Sequence, residues 1–420
     1  VRKLIILAII VAAVGWAEAA TYYVDSDDGR DDPAWNGGPL EPWQTITYAL
    51  SRVSGENTFM CRGTFEEEVT LGEDDAGSEF VGNPEATLVG GVFCENYYDG
   101  GVGVFRVYGF AGGGAQAELI VSNCYFNYPG GTALAAGPYS GRLRTYYSVV
   151  EDCRYAFRQT LEFGSLYFSD CDILNCEGGI SASGEFFATV TGCSFSNVKR
   201  YGVYLSIFYD RGEVRSCEFY GCKTGVGLQG PRGPYYGCNL SVHDSILRDN
   251  YLGISAGCTP KPDRYIVVYN NDVIDNRGNG VEVWGEAKLR GNTVRANDGH
   301  GVYITEDRPN LGTPADPGGN TLAGNKSGYD VYNASPENIP AVGNTWDPQS
   351  EEEMKGKTWQ EVNVTRIYDR WDDPNVGYVM WSEPMLGVAP ASLGRIKASF
   401  KGAPTSGQGA PGRKPSTAKE

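Results

Sequence analysis

The residues best suited to chemistry in this 420-residue chain fall in two groups. Arg277, Glu282, Glu286, Asp298 and His300 bring acids, a cation and an imidazole into one short stretch. A carboxylate or imidazole beside a substrate can take or give a proton, and a nearby guanidinium can steady the charge that develops. Arg277, Glu282, Asp298 and His300 are therefore the candidate catalytic set. A solvated charged face is the plainer alternative, because any acidic surface offers such clusters. The second group is Asp25, Asp27, Asp28, Asp31 and Asp32 around Gly29. Hard oxygens at this density suit Ca²⁺, although Gly29 stands one place early for an EF-hand loop and no closing Glu follows. Asp25, Asp27, Asp28 and Asp31 are the candidate metal ligands, and a solvated acidic loop is the competing reading. No other cofactor is implied. Zinc and a serine-type triad are disfavoured, since the chain has 2 His and no CxxC pair.

Aromatic residues offer binding rather than catalysis. Tyr97-Tyr98, Tyr146-Tyr147 and Tyr235-Tyr236 are adjacent pairs, so in a strand one ring of each pair faces outward. Outward Tyr and Trp on a flat face can stack against sugar rings, and ordinary packing under loops explains such pairs equally well.

The elements that would position these groups follow from a repeat. Between residues 121 and 347 a Cys or Asn recurs, followed two residues on by an apolar residue and five residues on by a second Cys or Asn. Cys171 to Cys176, Cys217 to Cys222, Asn271 to Asn276 and Asn292 to Asn297 are the cleanest copies. Aligned on the first position, the series reads Cys124, Cys153, Cys171, Cys193, Cys217, Ser245, Asn271, Asn292, Asn320, Asn344, at intervals of 18 to 29. Gly-apolar pairs such as Gly225-Val226, Gly253-Ile254 and Gly280-Val281 follow. Short Val-, Ile-, Phe- and Tyr-rich runs with glycine corners at this period predict a solenoid of stacked parallel strands. At about 4.8 Å per coil, the nine intervals span roughly 43 Å. Inward Asn at a bend is satisfied by the Asn above and below it, and Cys fits the same place as a small near-hydrophobe. The 11 Cys leave at least one thiol unpaired. Stacked Cβ vectors run parallel and hinder bridging, so a buried thiol stack is expected over disulfides.

The copies ending in Gly-x-Gly-Val, Asn271 to Val281 and Asn292 to Val302, resemble the repeats of the right-handed parallel β-helix, pectate-lyase-like superfamily. Tyr22-Tyr23-Val24-Asp25, with Pro42 to Ile46 and Ala49-Leu50 downstream, is similar to the opening of secreted members. The resemblance implies an all-β, single-stranded right-handed parallel β-helix with an N-terminal cap and a C-terminal closing segment. Ile46, Ala49, Leu50 and Val53 share one helical face that could plug the open end. The superfamily hosts lyases, hydrolases, epimerases and non-enzymes, so activity must come from the site. Gly299-His300-Gly301 and Asp372-Asp373 resemble polygalacturonase motifs, but that family places its acid pair before the His motif, and here it follows. His300 is accordingly expected to be a corner residue.

Composition supports this assignment. Gly (57) and Pro (22) disfavour a mostly helical protein, and 41% hydrophobic content supplies a core. A formal charge of −17 repels phosphate backbones and argues against nucleic-acid partners. Arg2-Lys3, the apolar run Leu4 to Val14 and Ala17-Glu18-Ala19 read as a signal peptide over 1–19. The expected layout is then cap and first coils over 20–117, repeats over 118–347, closing segment over 348–400 and a disordered tail over 401–420. Ser350-x-x-Glu353 is a capping box that could open a helix in the closing segment. No later stretch could span a bilayer, so a secreted, periplasmic or surface location is expected. The expected partner is an extracellular polysaccharide or cell-surface glycan. A non-catalytic binder is the first reading, and a polysaccharide lyase or glycoside hydrolase the second. Mass analysis of protein from its native host should find Ala20 at the N-terminus; an intact leader in a membrane fraction would establish an anchor instead.

Overall fold

A computed structural model describes residues 20–383 except 55–56, 68, 72–78, 90–91, 95–117, 128–131, 135–138, 162, 208–210, 231–238 and 260–265. The signal-peptide segment 1–19 and the tail 401–420 lie outside the described residues, as do Tyr97-Tyr98 and Tyr235-Tyr236.

The chain forms a right-handed parallel β-helix with three strand positions per coil. In one coil, Arg211–Arg215 lies on a first face, Glu218–Tyr220 on a second and Thr224–Gln229 on a third. Each pairs in parallel with the equivalent strand of the next coil: Asn239–His243, Ile246–Arg248 and Leu252–Cys258. Residues alternate in and out, and the inward ones make the core. Ile173, Phe195, Phe219, Leu247, Val273, Val294 and Leu322 form one continuous inner column. Phe195 and Phe219 stack within it at 4.7 Å.

Two sharp corners flank each second-face strand, and both have the same chemistry. The residue before each column position has a left-handed backbone: Asp170, Ser216, Asp244 and Asn270 at the first corner, Asn175, Asn197, Asp249 and Asp275 at the second, all with φ between 50° and 56°. Glycine serves at 192, 221 and 291. These residue types accept that conformation at least cost. The turn then aims the following Cys or Asn inward.

Cys171, Cys193, Cys217, Asn271, Asn292 and Asn320 are buried and stack in register, as the repeat predicts. Asn292 shows how the ladder works. Its Oδ1 accepts from Asn271 N (3.1 Å) and Nδ2 (3.0 Å), while its Nδ2 donates to Asn320 Oδ1 (2.9 Å) and Val268 O (2.8 Å). A second ladder runs Asn250, Asn276, Asn297, Asn325. In the earlier coils the thiols of Cys171, Cys217 and Cys222 reach the corresponding carbonyls, Thr145 O, Val190 O and Phe195 O. The eight cysteines whose side chains are described are buried, Cys171, Cys176, Cys193, Cys217 and Cys222 among them as free thiols, and burial pushes the Cys222 thiol up to about 12.

Two expectations need correction. Val149 pairs with Asp172, which puts Ser148 in the first column beside Cys171 and moves Cys153 to the second column beside Cys176. The coils on either side of Ser148 therefore take 24 and 23 residues instead of 29 and 18. The second correction concerns the closing segment. Its helix α2 (Pro348–Met354) is capped by Asp347, whose carboxylate accepts from Gln349 N. Ser350 sits inside the helix, and Glu353 instead accepts from Thr365.

The ends close as the sequence suggests. Helix α1 (Ile46–Arg52) buries Ile46 and Ala49, with Leu50 and Val53 packed beside them. Ile367–Tyr368 adds the last third-face strand by pairing with Val331–Tyr332. The Gly-apolar pairs mark entry to the third face. A Cβ on Gly253 would stand 2.5 Å from Gly280 O, so only glycine lets adjacent coils approach there.

Asn292→Leu should cost about 3 kcal/mol in chemical denaturation, because it strands polar groups on both neighbouring coils. Ala296 is the one alanine among the described left-handed corners (φ 57°). Ala296→Gly should raise stability by about 1 kcal/mol, read as a higher midpoint with an unchanged denaturant slope.

Candidate functional site

With the interior occupied by ladders, chemistry is left to the outward positions. On the third face one outward column runs Tyr204, Gly227, Ser255, Glu282, Tyr303, Tyr332, Tyr368. A neighbouring column runs Gln229, Gly257, Trp284. Large residues at the two ends and small ones between them create a groove of about 390 Å³. Tyr201 and Tyr204, with centroids 4.9 Å apart, form one wall. Glu282 and Trp284 form the other, on a strand three coil spacings, about 14 Å of backbone, from that of Tyr204.

The rings of both walls fold over the glycines beside them. A Cβ on Gly227 would come within 2.8 Å of the Tyr201 ring and 2.9 Å of the Tyr204 ring, and one on Gly257 within 2.2 Å of the Trp284 indole. The rings therefore lie directly against backbone. Polar groups edge this apolar surface: Gln229, Ser255, Thr305 and Glu306 line it, and the Tyr204 hydroxyl is hydrogen-bonded to Gln229 Oε1. Glu282 is half-buried, no described residue donates to it, and burial alone raises its pKa.

Beyond the groove the third face becomes an aromatic ladder. Tyr332 stacks on Tyr368 at 4.1 Å and approaches Tyr303 at 5.4 Å. His300 stacks on Tyr332 at 4.5 Å, and its Nδ1 is 2.9 Å from Ser327 Oγ. Burial lowers the His300 pKa, which favours the neutral ring.

The proposed catalytic set is divided by this geometry. Glu282 enters the groove, and His300 is a corner residue whose ring joins the tyrosine ladder. Arg277 and Asp298 are successive rungs at the corner after the second column, where their N–H groups donate to Asn250 O and Asn276 O. Asp298 is exposed and pairs with Lys326 at 2.6 Å. Glu286 stands at the turn after the third-face strand. At the N-terminus the acidic run organises backbone. Asp25 Oδ1 accepts from Asp27 N and Asp28 N, and Asp25 and Asp28 also face Arg62. Asp31 accepts from Gln44 N, Thr45 N and the Thr45 hydroxyl, and Asp27 accepts from Ser26. Among the described residues no group of three such side chains is arranged to hold a metal ion.

Sequence reasoning missed His243. It lies on the first face in register with Arg215 and Tyr269. Its Nδ1 is 2.7 Å from Asp244 Oδ2, its Nε2 is 2.9 Å from Glu213 Oε1, and its ring stacks on Tyr269 at 4.3 Å. Arg215 pairs with Glu213 at 3.4 Å. The His243 contact lowers the Asp244 pKa. Glu213 also lines a shallow first-face groove of about 680 Å³ with Phe187, Thr189, Arg211, Asn239 and Ser241. The signal for this cluster lies in the register of outward positions, since His243 and Glu213 are 30 residues apart.

The fold and both grooves define a right-handed parallel β-helix protein. Residues 178–346 match the family model described as right handed beta helix region. No curated protein matches the chain. Among solved structures, the chain is similar to the A-module of Azotobacter vinelandii mannuronan C-5 epimerase AlgE4. That match has 12% identity, a TM-score of 0.39, and covers 72% of this chain and 88% of that one. It is also similar to pectate lyase Pel9A, with 15% identity, a TM-score of 0.33 and coverage of 66% and 80%. A rhamnogalacturonan lyase matches at 12% identity, a TM-score of 0.33 and coverage of 69% and 82%.

Proposed function

We propose that the protein is an exported, non-catalytic binder of extracellular polysaccharide and that it binds along the third face. The observation that carries this reading is the groove between Tyr201–Tyr204 and Trp284, with Ser255 on a coil between them, continued by Tyr303, Tyr332 and Tyr368. Sugar rings present flat C–H faces to aromatic rings and hydroxyls to polar edges; the groove supplies aromatic walls with polar groups beside them, and the tyrosines stacked beyond it add ring edges and hydroxyls at coil spacing. Rows at a fixed repeat suit a polymer better than a single small molecule.

One observation favours a second reading. Glu213, His243 and Asp244 form a connected acid–imidazole–acid cluster beside the first-face groove, and such groups can take or give a proton. The two readings separate in one set of assays. Affinity electrophoresis in soluble polysaccharides should show retardation that weakens about tenfold in Tyr204→Ala and in Trp284→Ala, each of which removes a stacking ring. The same polysaccharides should release neither reducing ends nor unsaturated products. Product release abolished by His243→Ala would establish the enzyme reading instead.

A further inference from the structure

The last two rungs of the third-face tyrosine ladder have a chemistry of their own, independent of what binds there. Tyr332 and Tyr368 are register partners on the final parallel strand pair, so their backbones stand about 4.8 Å apart. Their inward neighbours Val331 and Ile367 are buried and hold that register. The two phenol rings stack with centroids 4.1 Å apart and planes 1° from parallel. Other described tyrosine pairs are wider and tilted: Tyr201–Tyr204 at 4.9 Å and 45°, Tyr146–Tyr167 at 5.4 Å and 48°. Both rings point outward and are half-buried, so an oxidant can reach them and they have room to turn edge to edge.

Burial raises the Tyr332 pKa, and the Tyr368 hydroxyl and the charges of Asp373 and Asp372 raise it further, so the phenol is protonated at rest. When an electron leaves the ring, a neighbouring carboxylate can take the phenolic proton. A radical on one ring then has its partner in contact and need not find it by diffusion. We propose that Tyr332 and Tyr368 are a site of oxidative cross-linking, where a peroxide acting through a haem peroxidase joins them as dityrosine and staples the closing segment to the coil before it. Each phenol gives up one electron and one proton. The two radicals form one carbon–carbon bond between ring positions ortho to the oxygens, and the hydrogens on those carbons move to the oxygens. One peroxide takes up both electrons and both protons and leaves as two waters. The bridge closes the chain between Tyr332 and Tyr368 into a loop, which restricts the unfolded state more than the folded one.

The test treats the full chain at low concentration with a plant haem peroxidase and hydrogen peroxide. Trypsin cuts after Lys326, Lys355, Arg366 and Arg370, so the bridge should appear as Ser327–Lys355 joined to Ile367–Arg370, two hydrogens lighter than their sum and fluorescing as dityrosine. Tyr332→Phe and Tyr368→Phe should each abolish this species, with circular dichroism confirming the fold of each variant. Tyr329→Phe should keep it, since the Tyr329 ring stands at 79° to both partners. Oxidation in denaturant should lower the yield about tenfold, because the register is lost. Oxidised wild type should unfold at a higher denaturant midpoint than untreated protein, and oxidised Tyr368→Phe should show no such shift. Loss of the joined peptide in Tyr329→Phe but not in Tyr332→Phe would overturn the assignment to this pair. Equal yield from folded and denatured protein, or peroxide consumed with no joined peptide, would overturn the site itself. An unchanged midpoint in the cross-linked protein would overturn the stapling.

Discussion

A buried corner cannot leave its backbone amide unpaired, and that requirement governs this molecule. Each coil turns twice through a left-handed residue, and each turn would strand an N–H and a carbonyl inside the core. The amide of Asn answers both needs at once. Oδ1 takes the backbone N–H and the Nδ2 of the preceding coil, while Nδ2 reaches that coil's carbonyl and the next Oδ1. Two donors and two acceptors are thus consumed with none left over. Stranding a single such group costs about 1–3 kcal/mol, so the columns fix the register of every strand between them.

A ladder built this way has an unsatisfied end, and the closing segment meets it with charge. After Asn325 the next acceptor is Asp330, which is fully buried. Arg366 then binds both Asp330 oxygens, at 2.8 and 3.0 Å, and also donates to Asn325 O. A buried carboxylate is tolerable only when paired and hydrogen-bonded, and here the partner comes from the segment that supplies the final third-face strand. Closing the core and ending the ladder are one event. At the other column Asn344 finishes on Leu311 O and Ala341 O without a charge.

The inward half of the structure was readable from sequence because it repeats. Asn271, Asn292 and Asn320 announce themselves by type and spacing, and the glycines at 225, 253 and 280 mark the same corner in successive coils. Where the column chemistry weakens, so does the reading: Ser148 carries no distinctive signal, and Cys153 took its place in the alignment. The outward half was far less legible. Trp284 and Tyr204 become walls only because Gly227 and Ser255 separate them on intervening coils, and that is a property of register rather than of any local motif. His243 illustrates the same point, since its partner Glu213 lies a full coil away.

This division between inside and outside explains why one scaffold can carry two surfaces of different character. The ladders, the corners and the inner apolar column hold the backbone without help from outward side chains, so those positions can vary at little cost to the fold. On the first face that freedom has produced a His243-centred charge cluster, and on the third a groove with an acid and aromatic walls. Both lie on sheet rather than on long loops, so their residues are spaced by the coil repeat itself. A ligand with its own repeat along the coil axis can meet several rungs at once. The columns that satisfy the core thereby also set the ruler for what binds outside it.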